Sequence, residues 1–444
     1  MDIGAKILRS KIPEIMTSAF LQNMLDWHVG QIARYTKMQD YYLGNHAILL
    51  REPKDATKAD NKEVNNYAKY ITDVLKGYFI GNPITYSEKE GTTVFNDYIQ
   101  EIFEYNDEED KNSKLVENIS IFGHSYELLW NDENADPRFT EVSPIEMFGI
   151  YDPDSIEDVM IAAIRYYTVE NVDTKETSVN VEYYTNDSVE KWVMKGKDST
   201  EYTQEGEETP HTFGKVPVVE YKNNDFRTGD FEGVISLIDS YNVFSSDCTN
   251  SIEDFVSAYL ALTGVEGTNA EDIAKFREMG ILLIPVDGKA EYITSQLDSL
   301  NQEFNRKRLK EDIHKFSMTP DMGDDNFGGT QSGVAMKFKL FTTEQVAITK
   351  ERKFKKSLQQ RIELLLLNHN TTFGRKEYLD VLITFSRNIP QNIKEIIEPL
   401  VKLTGIVSKE TLLSQLPFKI DVKGEMLKID AENKKLVGDY LVEE

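Results

Sequence analysis

Between Val234 and Thr263 the chain contains neither proline nor glycine. There Phe231, Val234, Ile238, Tyr241, Phe244, Cys248, Ile252, Phe255 and Tyr259 recur every three or four residues. An apolar stripe of that period predicts one amphipathic helix of about 30 residues, roughly 45 Å long. Cys248 lies on the stripe and reads as a buried small hydrophobe rather than a nucleophile. Gly264–Gln296 then reads as a compact insert: a short helix (Asn269–Met279), a strand (Ile281–Pro285), an Asp287-Gly288 hairpin turn and a returning strand (Ala290–Thr294). A second helix follows over Leu297–Met318, with Leu300, Phe304, Ile313 and Phe316 expected on one side. A small head on a two-helix stalk is an unusual plan for an enzyme core.

The flanks supply a body for that stalk. Ala19, Leu21, Met24, Leu25 and Trp27, continued by Ile32–Tyr42, predict an N-terminal helix, and Val64–Phe79 predicts another, stopped by Gly81-Asn82-Pro83 before a strand begins at Ile84–Tyr86. From Tyr126 to Tyr221 the texture changes to β-branched and aromatic runs bounded by Asp, Asn, Gly and Pro, which predicts short antiparallel strands. The acidic run Glu201–Glu208 reads as a solvated loop. Thr319–Gly333 carries Pro320, Gly323, Gly328, Gly329 and Gly333, too many breakers to continue a helix. A long helix is expected from Val334 to about Leu367. Its stretch Lys337–Arg361 holds eight Lys/Arg and two Glu, 8 − 2 = +6. A strand over Leu379–Phe385 and helices over Gln391–Leu403, Ser408–Leu416 and Glu425–Tyr440 complete an α+β chain.

The 444 residues carry 50 Lys and Arg against 76 Asp and Glu, a formal charge of −26, which argues against a protein that grips nucleic acid over its whole surface. A lone cysteine excludes an internal disulfide framework and a multi-cysteine zinc site. No run approaches the ~20 apolar residues of a membrane helix, and the opening MDIGAKILRS has no apolar signal core. We therefore expect a soluble protein of a reducing compartment, with no membrane partner, cofactor or metal. Gly328–Gly333 has the glycine spacing of a phosphate loop, but Val334 and Ala335 stand where Lys and Ser/Thr are needed. A calcium loop fails as well, with Gly323 and Ser332 at ligand positions. His28, His46, His124, His211, His314 and His369 show no metal-ligand spacing and read as structural or surface residues. No catalytic residue is assigned.

Several phrases, in order, resemble the portal proteins of tailed bacteriophages, of the type found in siphophages of Gram-positive hosts. They are Tyr41–His46, Asn65–Ile71, Gly77–Ile84, Phe122–Tyr126, Gln331–Lys337, Arg387–Pro390, and Ser408–Thr411 with Leu416–Phe418. The resemblance implies an α+β portal fold that forms a ring, usually of twelve copies, at one capsid vertex around a channel for double-stranded DNA. By that resemblance residues 1–229 are a wing, 230–263 the first stem helix, 264–296 the clip, 297–318 the second stem helix, 319–333 the tunnel loop, 334–404 the long wing helix and strand, and 405–444 a short helical crown. It further implies packaging and ejection of DNA without sequence specificity. The partners it implies are the terminase large subunit, a head-completion or adaptor protein, and the major capsid and scaffolding proteins. Location in the virion, after assembly in the host cytoplasm, follows from it too.

The family's arrangement gives the residues their expected roles. Asp321, Asp324, Asp325, Asn326, Thr330 and Gln331 would line the channel, where an acidic wall lets DNA slide because each neutralised phosphate would add affinity. The stem stripe Phe231, Val234, Ile238, Tyr241, Phe244, Ile252 and Phe255 is expected between neighbouring stems. For Lys350, Arg352, Lys353 and Lys356, with Lys355 and Arg361, two readings stand side by side: a solvated helix face, or contacts with an adjacent copy or with DNA. The rival functions are an acidic cytosolic enzyme without a recognisable motif and an oligomeric scaffold without a DNA channel.

Overall fold

The computed structural model describes residues 4–53, 58–88, 94–195, 201–256, 259–263, 289–293, 299–323, 338–369, 377–388, 393–414 and 424–431. The first part of the chain runs β1 (Leu8–Arg9), α1 (Ser18–Leu43), α2 (Tyr67–Ile80), β2 (Thr85–Glu88), α3 (Val94–Tyr105) and α4 (Glu108–Phe122). The strand-rich part holds β3 (His124–Asn131), β4 (Pro137–Val142), β5 (Met147–Tyr151), β6 (Met160–Glu170), β7 (Thr177–Tyr184), β8 (Ser188–Lys195), β9 (Thr203–Gln204), β10 (Thr209–Pro210) and β11 (Val218–Lys222). After it come α5 (Ile235–Val256), β12 (Tyr259–Thr263), β13 (Lys289–Ile293), α6 (Ser299–Phe316), α7 (Phe341–His369), β14 (Val381–Thr384), α8 (Ile393–Lys402) and α9 (Lys409–Ser414), with a further helix over 424–431.

The predicted β-rich sector folds as two sheets. The larger runs β1-β5-β6-β7-β8-β10 with β9 also on β8, antiparallel except for the β1–β5 pair. Leu21, Met24 and Leu25 of α1 pack on Phe148, Ile150, Ile164, Val181 and Trp192 of this sheet. The smaller sheet, β11-β3-β4, shares a core with α4 and α7. There Leu129, Phe139, Val219 and Tyr221 meet Leu115, Ile119, Phe354, Leu358 and Ile362. Strands β2 and β14, read at Ile84–Tyr86 and Leu379–Phe385, pair with each other and close the far end of the same core. At the junction of β3 with α4, Gly123 has φ 88°, and a Cβ there would stand 2.0 Å from the Arg227 carbonyl oxygen. Only glycine fits that turn.

A third core joins body and stalk. Tyr35, Met38 and Tyr41 of α1, Ile71 and Leu75 of α2, and Ile313 of α6 surround Phe231, Val234, Ile238 and Tyr241. Helix α2 starts at Tyr67 because the Asn66 side chain accepts the Lys69 N–H and caps it there.

Three expectations are corrected. The first stem helix ends at Val256 after 22 residues, about 33 Å, and Tyr259–Thr263 is instead a strand paired in register with Lys289–Ile293. Its Tyr-Leu-Ala-Leu-Thr sequence suits a strand, and a ladder partner overrides the helical period. The expected helix at Asn269–Met279, the strand Ile281–Pro285 and the Asp287-Gly288 turn lie outside the described residues. Secondly, α6 buries Ile313 while Phe304 and Phe316 are exposed, so its core face is set by Leu309, Ile313 and His314. Thirdly, Phe231, Val234, Ile238 and Tyr241 are buried within the chain, against its own α1, α2 and α6, and leave little side-chain surface for a neighbour. Of the remaining stripe, Phe244 and Cys248 are half-buried, Ile252 is exposed, and the Phe255 side chain lies outside the described set.

Candidate functional site: stem, strap and loop base

The stem is held to the body by a polar ladder. Asn242, Ser246 and Asn250 recur every four residues on one edge of α5. They accept backbone N–H groups from Asn65 (2.8 Å), Glu63 (2.9 Å) and Asn61 (2.6 Å) respectively. Alternate residues of an extended chain advance about 6.6 Å and four residues of a helix about 6 Å, so the two repeats stay in step over three rungs. The Glu63 carboxylate accepts hydrogen bonds from the Ser245 and Thr249 hydroxyls, which hold it below the usual carboxylate range. Further along, Tyr41 donates to Asp239 at 2.6 Å and Arg51 pairs with Asp247 at 2.6 Å.

The segment leaving α6 is fastened just as closely. Met318 adopts φ 55°, the left-handed conformation that ends a helix, and the Thr319 N–H returns to the His314 carbonyl at 3.1 Å. The Tyr70 hydroxyl donates to the Pro320 carbonyl (3.0 Å) and accepts the Met322 N–H (2.9 Å). Lys310 pairs with Asp321 at 2.6 Å, and that bond raises the Lys310 ammonium above its ordinary pKa. Thr343, at the start of α7, donates to the Met318 carbonyl at 2.9 Å. Thus α2, α6 and α7 all grip residues 318–322, and Thr319, expected in a wholly polar loop, is buried. Removing the grip with Tyr70→Phe and Lys310→Met should raise hydrogen exchange at the Met322 amide about tenfold or more, since three bonds worth ~0.5–1.5 kcal/mol each are lost. Exchange by mass spectrometry checks this, and unchanged protection would refute the fastening.

Helix α7 carries a buried polar spine. Lys350 is buried in an ion pair with Asp230, which also accepts from Ser120 and Asn223. Arg361 is fully buried: it bonds Glu127 through two nitrogens (2.6 and 2.8 Å), Glu108 at 3.1 Å and Asn112 at 2.9 Å, with its guanidinium 4.6 Å from the Phe139 ring. Burial opposes its charge, but Glu127 and Glu108 outweigh that and hold it well above its ordinary pKa. Beside this spine Arg227 grips Glu220 at 2.6 Å. His124 and Arg227 keep the Glu220 carboxyl far below the usual range although it is buried.

For Lys350 and Arg361 neither sequence reading of the basic helix holds; both are internal struts. Lys353 pairs with Asp225 of the same chain, Lys356 lies 3.9 Å from Glu157, and Arg352 is exposed. Among the expected loop residues, Asp321 belongs to the fastened base, while Asp324, Asp325, Asn326, Thr330 and Gln331 lie outside the described residues. The strap, the loop base and the spine were missed from sequence. The spine had a signal, because Lys350 and Arg361 occupy apolar positions of the stripe Ala347, Phe354, Leu358, Leu365.

Among the described residues no cluster of three metal-ligating side chains occurs, and no helix is long and apolar enough to cross a membrane. What the side chains do is fasten a stalk and a loop base to a two-sheet body. The family model for "Phage portal protein, SPP1 Gp6-like" matches residues 22–438. The portal protein of Bacillus phage SPP1 is 26% identical over 396 residues, covering 85% of this chain and 77% of that one. The portal protein of Clostridium phage phiCD119 is 23% identical over 423 residues, covering 90% and 92%. The chain belongs to the SPP1 Gp6-like family of phage portal proteins. It is a virion capsid component that serves DNA packaging at a capsid vertex, in a family that is structural rather than enzymatic.

Proposed function

We propose that twelve copies form a ring whose channel passes double-stranded DNA during packaging and ejection. The ring docks the terminase large subunit and later a head-completion protein at the clip (264–296), and is built in the host cytoplasm with scaffolding and major capsid proteins. Residues 1–229 and 334–404 form the wing, α5 and α6 the stem, and 405–444 the crown. The observation that carries this reading is the three-way grip on residues 318–322, which launches the acidic, glycine-rich stretch 323–333 from a fixed point at the end of the stem. In this reading Asp324 and Asp325 belong to the channel wall, where carboxylates repel phosphate rather than trap it. Repulsion between copies is screened over ~8 Å at physiological salt. Arg352 and Lys356 are the exposed α7 cations left for a neighbouring copy or for packaged DNA.

Asp324→Lys combined with Asp325→Lys should leave ring assembly intact and slow or stall translocation, by placing a ring of ammonium groups against the phosphates. Packaging by purified procapsids is the measurement. Normal rate and DNA length would sink the channel assignment, and failed assembly would make the segment structural.

A further inference from the structure

We propose that the open edge of β11 takes up an extended segment of a partner protein as an added strand, one whose residues alternate between acidic and apolar. The site lies within a single subunit and does not draw on the ring reading. Strand β11 stands at the end of the order β11-β3-β4, so only one of its edges is bonded. The Leu129 N–H donates to the Pro217 carbonyl at 2.8 Å, and the Asn223 N–H to the Gly123 carbonyl at 2.9 Å. Bonded residues alternate in an antiparallel ladder. Val219 and Tyr221 therefore face β3, while Val218, Glu220 and Lys222 turn their N–H and carbonyl groups the other way. The Glu220 carbonyl shows this direction by accepting from the Ser357 hydroxyl of α7 at 2.7 Å. Among the described residues no group accepts from the three outward N–H groups. Such an edge is a template for another strand unless something covers it.

The space beside that edge has the shape of a missing strand. Helix α7 packs over one face of the small sheet, against Val219 and Tyr221, while β5 and β6 pack over the other, against Val216 and Val218. Between these layers lies a groove of about 810 Å³. Lys353, Lys356, Gln360 and Leu364 wall it on one side, and Ile156 and Val159, just before β6, on the other. From Lys353 to Leu364 the helix advances about 16 Å, the span of about five extended residues. A strand laid there points alternate side chains at the two walls.

The walls decide which side chains fit. Ile156 is fully exposed and Val159 half-exposed, so one wall offers uncovered apolar surface. The α7 wall offers Lys353 and Lys356, paired with Asp225 and, at 3.9 Å, with Glu157. Both carboxylates are exposed, and pairs of that kind exchange readily for the acids of an incoming strand. The carboxylates that line the groove more deeply are already held. Lys215 holds Glu363, Lys222 and Arg227 hold Asp158, and Arg227 and His124 hold Glu220. Cations are therefore what α7 has to offer, and an alternately acidic and apolar strand matches both walls at once. Backbone bonds along the edge supply affinity, and the walls supply selectivity.

The test uses the full chain and a fluorescently labelled peptide, Ser-Glu-Ile-Asp-Val-Glu-Ile-Ser. Binding by fluorescence anisotropy is expected, with hydrogen exchange at the Val218, Glu220 and Lys222 amides slowed about tenfold or more. N-methylation of one alternate set of peptide amides should abolish binding, and of the other set should change it less than about threefold. Lys353→Glu with Lys356→Glu should weaken binding about tenfold, and a peptide with Lys in place of its acids should bind that variant better than wild type. No binding up to about 1 mM peptide would overturn the proposal. So would equal binding of a peptide with the same residues in separate acidic and apolar blocks, or equal loss from both methylated sets. Protection of the three amides in peptide-free rings would give the edge to a second copy and refute the partner strand. Loss of packaged DNA in Lys356→Glu with peptide binding unchanged would assign that cation to the duplex and refute the acidic half of the match.

Discussion

Replacing Arg361 with methionine is expected to leave the subunit folded marginally or not at all. The guanidinium is fully buried, and so is Glu127; Glu108 is nearly so. Methionine fills much of the volume but takes the cation from two buried carboxylates, leaving Glu127 the Tyr221 hydroxyl and Glu108 the Tyr86 hydroxyl and Asn112 amide, among rings of Phe103, Phe139 and Tyr221. Breaking a buried pair from one side costs about 3–5 kcal/mol, against a total stability of ~5–15 kcal/mol for a typical domain. Burial already raises the Glu108 carboxyl above its ordinary pKa, so that group would protonate first when its partner is removed. Arg361→Lys keeps the charge but offers a point instead of a planar fork, so it should fall between wild type and Arg361→Met. Adding Glu127→Gln and Glu108→Gln to Arg361→Met should recover part of the loss, because neutral amides leave no unpaired charge. Urea unfolding reads all three; an Arg361→Met protein within about 1 kcal/mol of wild type would show that the spine does not carry the fold.

The spine also shows what the sequence could and could not convey. Periodic apolar residues announced α1, α2, α5 and the strands β3, β6, β7, β8 and β11, because each pattern is local and its burial follows directly. The same pattern marked Phe231, Val234, Ile238 and Tyr241 as buried, but period alone cannot distinguish burial under the same chain's α1 and α2 from burial under a neighbour. Arg361 stood in the stripe as a charged residue at an apolar position, a legible anomaly that was read as part of a surface charge run. The strap was harder. Its three rungs depend on the steps of two segments matching across nearly two hundred residues, and Asn, Ser and Glu at those positions look like ordinary polar surface. Tyr259–Thr263 failed for the same reason: its ladder partner, Lys289–Ile293, lies at the far end of the insert. The proposed roles in channel and ring came from ordered phrases resembling a family, not from any pattern whose physics states them.

Acid should weaken the subunit well before its carboxylates titrate, because burial lowers the pKa of His28, His124, His211 and His314, and His28 is the clearest of the four. Its ring lies buried in α1, stacked on Phe148 at 4.6 Å and edge-on to Tyr166. One nitrogen, Nε2, faces the Pro144 carbonyl at 2.9 Å and must carry the proton, since a carbonyl only accepts. The other, Nδ1, accepts from the Tyr166 hydroxyl at 2.8 Å, so the neutral ring is satisfied on both sides. Burial, with a smaller push from His124, drives the His28 pKa down to about 4 against the Pro144 bond, which pulls it up. In the unfolded chain the same imidazole titrates near 6.5. Between those values the unfolded chain binds a proton that the folded chain refuses, so stability falls as pH falls, by up to about 1.4 kcal/mol per unit. From pH 7 to pH 5 His28 alone should cost roughly 2 kcal/mol. His124, buried against Tyr35 and Glu220, is also lowered and adds to the slope, whereas the depressed Glu220 carboxyl matters only as pH falls below the unfolded glutamate range near 4.3. His28→Gln should therefore be less stable than wild type at pH 7 yet lose less between pH 7 and pH 5, narrowing the gap by about 2 kcal/mol in urea unfolding. Parallel slopes for the two proteins would mean that His28 takes up its proton in the folded state, and that the bond to Pro144 outweighs burial.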